Sequence, residues 1–274
     1  MLVQQAAKTP AFYFIGVTTG QSSIMKVFPR WAKALGLQAC IKGIDLPLHA
    51  PEAAYRKTVK MLKEDPLALG ALVTTHKLDL FHACRDLFDF IDPFAEKLQE
   101  VSSLSKRDGL LRAHAKDPIS SGLALESFVP PGYWRQGGEV LLLGSGGSSL
   151  AMSLYFSQQK FGGNVPRRIT ITNRSIPRLQ SAKAKLAGLN PNIEFRFVHC
   201  PTPADNDKLV ARLPPRSLVV RKQPGVGNQL PGRAYLYVSG AGPGPKAKPL
   251  YRGWLELFYP WLDTGNRRGI RSEN

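Results

Sequence analysis

The stretch that most constrains the fold is EVLLLGSGGSSLAMSLYF, which begins at residue 139. Apolar residues lead directly into a glycine-rich turn, and a segment long enough for a helix follows it. A buried strand that passes through such a turn into a helix is typical of an α/β sheet that binds a nucleotide, because glycine lets backbone N–H groups approach a pyrophosphate. The residues predicted to contact the phosphates are Gly144, Ser145, Gly146, Gly147 and Ser148. An ordinary turn is the alternative.

The next predicted strand, at 169–172, distinguishes between the two nicotinamide cofactors. Proteins that bind NAD place an acidic residue at the end of this strand, where it accepts a hydrogen bond from the ribose 2′-hydroxyl. Here the strand is followed by Asn173, Arg174 and Ser175. A guanidinium with small polar neighbours suits a 2′-phosphate, because arginine offers planar and permanently charged donors. The pattern therefore predicts NADP(H), and the alternative is an arginine in a solvated turn.

The rest of the chain alternates short apolar runs with amphipathic segments. Strands are predicted at 11–17, 39–46, 69–76, 140–143 and 194–198, and helices at 26–37, 50–65, 78–92, 149–160 and 176–187. In the helix at 50–65, the apolar face is predicted from Ala53, Ala54, Val59, Met61 and Leu62. The alternation predicts an α/β fold of two lobes with mainly parallel sheets, and a ligand site in the cleft between them.

Residues 221–274 depart from this pattern. They are rich in proline, glycine and arginine, and only strands at 217–220 and 234–238 can be predicted in the last part of the chain. A diverged terminus and an altered reading frame would each produce such a segment.

The net charge of +17 first suggests a nucleic-acid partner. The basic residues are spread along the chain, however, with no basic helix and no stripe of interleaved aromatic residues, so anionic small molecules are the expected partners. The three cysteines, Cys40, Cys84 and Cys200, have no CxxC spacing, and the sequence pattern predicts neither a secretory signal nor a transmembrane run. We therefore expect a cytoplasmic monomer or homodimer with no metal, nucleic-acid or membrane partner.

Several stretches resemble the shikimate/quinate dehydrogenase family. GSGGSS and ITITNRS are similar to its Gly-Ala-Gly-Gly-Ala loop and its Asn-Arg-Thr segment, and GALVTTHK, from residue 70, is similar to Gly-x-Asn-Val-Thr-x-Pro-x-Lys. The resemblance extends over about 11–220. It implies an N-terminal substrate-binding domain at 1–122, a C-terminal Rossmann-type NADP-binding domain at 123–274, and reversible hydride transfer between NADP(H) and a cyclic hydroxy acid or ketone such as shikimate or 3-dehydroshikimate.

Carried over position by position, the resemblance implies that Lys77 is the proton donor and acceptor and that Asp117 is its partner. Reduction of a ketone needs a proton for the developing alkoxide, and a desolvated lysine beside a carboxylate can supply it. The residues implied to bind the substrate are Ser22, Thr74 and Ser102.

Other positions depart from the family pattern. Thr74 and Lys77 are three residues apart instead of four, without the proline between them, and one residue less rotates a helical side chain by about 100°. Ser102 and Ser103 replace an Asn-Thr pair, and Ala115 and Lys116 replace another. A dehydrogenase with an altered substrate and a catalytically impaired relative that binds a nucleotide or an anionic metabolite both remain open. His76 is interpreted as a solvated loop residue, with assistance in proton transfer as the alternative.

Overall fold

The computed structural model describes residues 8–126, 129–158, 161–214, 217–222 and 234–239. The chain divides into two compact units between Ser120 and Ser121, two residues before the predicted boundary. Each unit has its own sheet. In the described part of the chain, no helix has the length and apolar character that a membrane span requires. That the first unit binds the substrate and the second binds NADP stays a prediction.

The first unit consists of helices and a mixed β-sheet, which has both parallel and antiparallel strands. Its strands are β1 (Ala11–Gly16), β2 (Cys40–Asp45), β3 (Ala68–Val73), β4 (Phe90–Ile91), β5 (Ser103–Arg107) and β6 (Leu110–His114). Its helices are α1 (Ile24–Ala34), α2 (Glu52–Glu64), α3 (Lys77–Cys84), α4 (Pro93–Leu98) and the beginning of α5 (Asp117–Glu126). The strand order is β2-β1-β3-β5-β6-β4, in which β1 is parallel to β2 and β3, and β5 is antiparallel to both of its neighbours.

The hairpin of β5 and β6 was not predicted from the sequence. It turns at Asp108 and Gly109, which both have positive φ, at 55° and 73°. Its strands are only partly buried and carry charged side chains such as Lys106, Arg107 and Arg112, so they lack the apolar run that identifies a buried strand. The helix predicted over 78–92 is also too long, because α3 ends at Cys84 and a 3₁₀ turn and β4 follow it.

Two predicted helices differ in detail. The helix predicted at 26–37 begins earlier, at Ile24, so Pro29 lies in the interior of α1. In α2 the buried face consists of Tyr55, Thr58, Val59 and Leu62, so Val59 and Leu62 are confirmed, whereas Ala53 is exposed and its predicted place on this face is wrong. A tyrosine ring removes much more apolar surface from water than an alanine methyl group, and Tyr55 therefore decides which side of α2 packs inward.

The second unit is a largely parallel sheet. Its described strands are β7 (Glu139–Leu143), β8 (Arg168–Asn173), β9 (Glu194–His199), β10 (Ser217–Lys222) and β11 (Ala234–Ser239), in the order β11-β10-β7-β8-β9. Its helices are the end of α5, α6 (Gly147–Phe156), α7 (Ile176–Leu186) and α8 (Pro203–Val210). Only β11 is antiparallel. The core includes the fully buried Leu141, Leu142, Ile169 and Ile171. These features confirm the predicted α/β class. Apart from the end of β10 and β11, the atypical segment 221–274 lies outside the described residues.

Candidate active site

Lys77 and Asp117 form an ion pair in the first unit. Lys77 is the first residue of α3 and Asp117 is the first residue of α5. The Lys77 Nζ donates a hydrogen bond to Asp117 Oδ2, and the two side chains are 25% and 32% exposed. The pair is thus partly desolvated and still accessible, and the helix dipole stabilises a carboxylate at the beginning of α5. The structure brings these two predicted residues together.

The short loop before Lys77 reaches this position through an unusual turn. Thr75 has a φ of 57°, in the left-handed region that a β-branched residue rarely adopts. The His76 N–H donates to the Thr74 carbonyl, and the Thr74 N–H donates to the Ile15 carbonyl at 3.0 Å. The Lys77 carbonyl accepts from the Val101 N–H at 3.1 Å. The path from Thr74 to Lys77 is therefore not helical, and Lys77 contacts Asp117 with this spacing.

His76 is buried, and its interpretation as a solvated loop residue is wrong. It is 1% exposed, and its Nδ1 lies 3.0 Å from the Tyr55 hydroxyl oxygen. Tyr55 lies on the inward face of α2, 21 residues earlier in the chain. Burial depends on this contact between two elements, which the residues next to His76 do not reveal.

The three predicted substrate-binding residues lie at different depths. Ser22 follows β1, Thr74 follows β3, and both are half-buried. Since β1 and β3 are adjacent and parallel, the segments after them leave the same edge of the sheet. Ser102 is 3% exposed, and its hydroxyl oxygen accepts the Lys116 N–H at 2.8 Å. Ser102 thus holds the backbone directly before Asp117, and its contact with a substrate stays a prediction.

His114 belongs to a second polar cluster in this unit. Its Nδ1 lies 3.1 Å from Asp92 Oδ2, and its Nε2 lies 3.1 Å from the Ser105 hydroxyl oxygen. Burial, followed by the charge of Lys116, lowers the pKa of His114, although Asp92 opposes this shift. Across the described residues, no three His, Cys, Asp or Glu side chains form a group that could hold a metal ion.

In the second unit, the glycine turn has the geometry of an anion-binding loop. Gly144 has a φ of 113°, and its N–H donates to the Thr172 carbonyl at 3.0 Å, which ties the turn to β8. Gly146 is the N-cap residue of α6, and Gly147 and Ser148 form the exposed beginning of that helix. The N-terminal N–H groups of a helix lack partners within the helix and attract anions. The loop therefore fits a phosphate group.

The segment after β8 lies against the glycine turn. Asn173 Nδ2 donates to the Ser145 hydroxyl oxygen at 2.7 Å, and Asn173 Oδ1 accepts the Ser175 N–H at 2.9 Å. The Ser175 hydroxyl oxygen then caps α7 by accepting the Arg178 N–H. Arg174 is exposed and pairs with no carboxylate of the described residues. The two predicted cofactor segments are thus joined by a direct hydrogen bond.

Arg178 is a second exposed guanidinium that the sequence analysis left out. It lies in the first turn of α7, directly after the segment that contains Arg174, and no ion pair holds it among the residues that the structure describes. The signal that could have identified it is Ser175, a typical N-cap residue, which places Arg178 at the N-terminal end of the helix.

No protein-family model matches the chain. Over 151 residues it is 33% identical to a shikimate dehydrogenase (NADP(+)) of Bacillus cereus, and the alignment covers 54% of this chain and 50% of that protein. The chain thus spans about half the length of the curated relatives that it matches.

Solved structures show the same fold. Shikimate 5-dehydrogenase from Listeria monocytogenes, in complex with shikimate and NAD, superimposes with a TM-score of 0.59 at 15% identity, over 77% of this chain and 69% of that one. The 5-ketofructose reductase of Gluconobacter sp. strain CHM43 gives a TM-score of 0.55 at 19% identity, over 70% and 63% of the two chains. These similarities confirm the predicted α/β fold.

Proposed function

We propose that this relative of the shikimate/quinate dehydrogenases is an NADP-dependent oxidoreductase that transfers a hydride reversibly between NADP(H) and a cyclic hydroxy acid or its ketone. Shikimate with 3-dehydroshikimate is the first substrate pair to test. The observation that carries the proposal is the ion pair between Lys77 and Asp117, which are 40 residues apart in sequence and begin two different helices. The relative from Bacillus cereus, which is named for this reaction, supports the same conclusion.

The chemistry that we assign to the pair is proton transfer. Bound NADP(H) supplies or accepts the hydride. In the direction of reduction, the oxygen of the ketone gains negative charge, and the Lys77 ammonium donates a proton to it. In the direction of oxidation, the neutral amine takes that proton from the hydroxyl group. Asp117 stabilises the ammonium by charge and orients it through the hydrogen bond.

We assign the cofactor to the second unit. The backbone of Gly146, Gly147 and Ser148 fits a pyrophosphate, because exposed N–H groups at the beginning of α6 are suited to an anion. Arg174 and Arg178 supply two guanidinium groups for the 2′-phosphate of NADP. No carboxylate takes the position at the end of β8 that would accept from the ribose hydroxyl of NAD.

The test is the absorbance of the reduced nicotinamide, followed with shikimate, quinate and related ring acids in the presence of NADP or NAD. We expect turnover with NADP, and we expect Lys77→Ala to lower kcat about 100-fold or more, as for other general acid–base residues. Lys57→Ala is the matched control, because Lys57 is an exposed lysine of α2.

Two outcomes would contradict the proposal. If the wild-type protein oxidises none of these acids and reduces none of their ketones, the protein is not a dehydrogenase of this type. In that case, binding of NADPH in a fluorescence titration would favour the catalytically impaired relative. If Lys77→Ala and Lys57→Ala are equally active, the proposed role of Lys77 is wrong.

A further inference from the structure

Directly before Lys77, His76 is the buried end of a chain of polar groups. Its Nδ1 lies 3.0 Å from the hydroxyl oxygen of Tyr55, which in turn donates to Asp79 Oδ2 at 3.4 Å. The other ring nitrogen, Nε2, is buried and has no hydrogen-bond partner among the residues that the structure describes. Among the described residues, the imidazole of His76 is therefore hydrogen-bonded through Nδ1 only.

The single proton of the Tyr55 hydroxyl can be directed either at His76 Nδ1, at 3.0 Å, or at Asp79 Oδ2, at 3.4 Å. An ionised carboxylate can only accept, whereas a tyrosine hydroxyl has one proton to donate. Burial, followed by the charge of Asp79, raises the pKa of Tyr55, so the phenol keeps this proton. With that proton directed at Asp79, the phenol oxygen accepts from His76, which places the imidazole proton on Nδ1. The unpartnered Nε2 is then a bare acceptor.

In either tautomer, the buried Nε2 has no hydrogen-bond partner among the described residues. A buried polar atom without a partner is unfavourable, and native structures tend to retain such groups where function requires them. The same short segment contains a second unfavourable feature, the left-handed backbone of Thr75, with a φ of 57°. Strained residues persist only where the surrounding structure fixes them. Both features lie within the segment from Thr74 to Lys77, which suggests that Tyr55 and His76 act as its anchor.

We propose that Tyr55 and His76 are positioning residues for Lys77. The hydrogen bond to Tyr55 fixes the buried imidazole, and the fixed imidazole holds the turn that leads into α3. The His76 carbonyl accepts the Leu80 N–H at 2.8 Å, and the Lys77 carbonyl accepts the Val101 N–H at 3.1 Å, so the backbone on both sides of Lys77 Cα is tied down. The ammonium is thereby directed at Asp117. The significance of this arrangement for catalysis rests on the proposed function.

The first experiment measures the position of Lys77 without any enzymatic activity. The protein is treated with trinitrobenzenesulfonate, which reacts with free amines, and the modification rates of Lys77 and the exposed Lys57 are compared by peptide mass spectrometry. In Tyr55→Phe and His76→Leu, we expect Lys77 to react about five- to tenfold faster relative to Lys57, since the loss of one hydrogen bond loosens the ion pair.

Two further variants serve as controls. His76→Asn offers an amide N–H near the place of Nδ1, and we expect it to keep the rate within about twofold of the wild-type value. His49→Asn changes the exposed histidine at the far side of Asp79, where the Nδ1 to Oδ2 distance is 3.1 Å, and we expect no change. If His76→Leu does not fold, Tyr55→Phe decides the matter, because it removes only the hydroxyl group.

The second experiment separates kcat from KM. In Tyr55→Phe and His76→Leu we expect kcat to fall about five- to tenfold, with KM for the ring acid within about twofold. The double variant should have a kcat close to that of His76→Leu, because both changes break the same hydrogen bond between Tyr55 and His76. Unchanged reactivity of Lys77 in both single variants would overturn the proposal, even if kcat falls. A wild-type protein without dehydrogenase activity, in which Lys77 reactivity still responds as expected, would refute the proposed function and support the positioning role.

Discussion

Arg174 offers a direct test of the cofactor, and replacing it with alanine is expected to weaken NADPH binding while NADH binding stays the same. The side chain is exposed at the end of β8 and pairs with no carboxylate of the described residues, so its charge is available for a phosphate. Other groups hold the backbone around it. Asn173 Oδ1 accepts the Ser175 N–H at 2.9 Å, and His199 Nε2 lies 3.0 Å from the Arg174 carbonyl oxygen. Arg174→Ala should therefore leave the fold intact.

The size of the effect follows from the exposure of the guanidinium. A hydrogen bond to a charged group contributes about 1.5–3 kcal/mol, and because solvent and salt screen an exposed pair, the lower end applies to Arg174. About 1.5 kcal/mol corresponds to a roughly tenfold rise in Kd for NADPH. Arg178→Ala should act in the same direction, and the effect of both changes should shrink as the salt concentration rises.

The assay is a fluorescence titration with NADPH and NADH at low and high salt. Arg212→Ala is the matched control, because Arg212 is another exposed arginine of the second unit. Equal weakening of NADPH and NADH by Arg174→Ala would mean that Arg174 contacts a part shared by both cofactors. Unchanged affinity for NADPH in the Arg174→Ala, Arg178→Ala double variant would refute the assignment of the 2′-phosphate to this segment.

Two further predictions concern stability. Gly122→Ala should lower the free energy of unfolding, measured in urea, by about 1 kcal/mol, because its Cβ would lie 2.1 Å from Tyr155 Cδ2. The middle of the overpacking range of about 1–3 kcal/mol exceeds the gain of about 1 kcal/mol in helix propensity by this amount. Gly163→Ala, where nothing lies within 4 Å, is the control, and a Gly122→Ala protein as stable as the wild type would contradict the clash. Because the pKa of His114 is lowered in the folded protein, its imidazole takes up a proton at a higher pH in the unfolded chain than in the folded one. The free energy of unfolding should therefore fall as the pH drops below the ordinary value of 6.5 toward the lowered pKa. His114→Asn should reduce the pH dependence of the free energy of unfolding in this range. An unchanged slope in that variant would mean that other groups cause the pH dependence.

The parts of the fold that the sequence predicts well are those with local causes. The buried run Val140–Leu142 and the glycines after it determine a strand and a turn by themselves, and both occur where expected. The hairpin of β5 and β6 is different, because its strands are half-exposed and its position depends on pairing with β3. The face of α2 was misjudged because Ala53 counts as apolar in a pattern, although Tyr55 buries far more surface.

The candidate site shows the same division at the level of single residues. Lys77 and Asp117 could be identified by resemblance, since Lys77 is the last residue of GALVTTHK and Asp117 lies within DGLLRAHAKDPISSG, a second stretch that is similar to the family. Whether they meet depends on the conformation of Thr75 and on the contact of His76 with Tyr55, 21 residues away, and neither can be derived from the motif. Exposure of Arg174 is likewise a property of the folded chain.

A shortened motif therefore does not by itself argue for a lost activity. Counting residues along an ideal helix predicts that Lys77 turns away from its partner by about 100° when one residue is removed. That argument assumes a helical path between Thr74 and Lys77, whereas Thr75 adopts a φ of 57° and α3 begins only at Lys77. The helical rotation therefore does not apply to this segment, and Lys77 forms an ion pair with Asp117. The number of residues in a loop does not by itself determine where a side chain lies, because the contacts around the loop decide its backbone conformation. Here one of these contacts is the buried one between Tyr55 and His76.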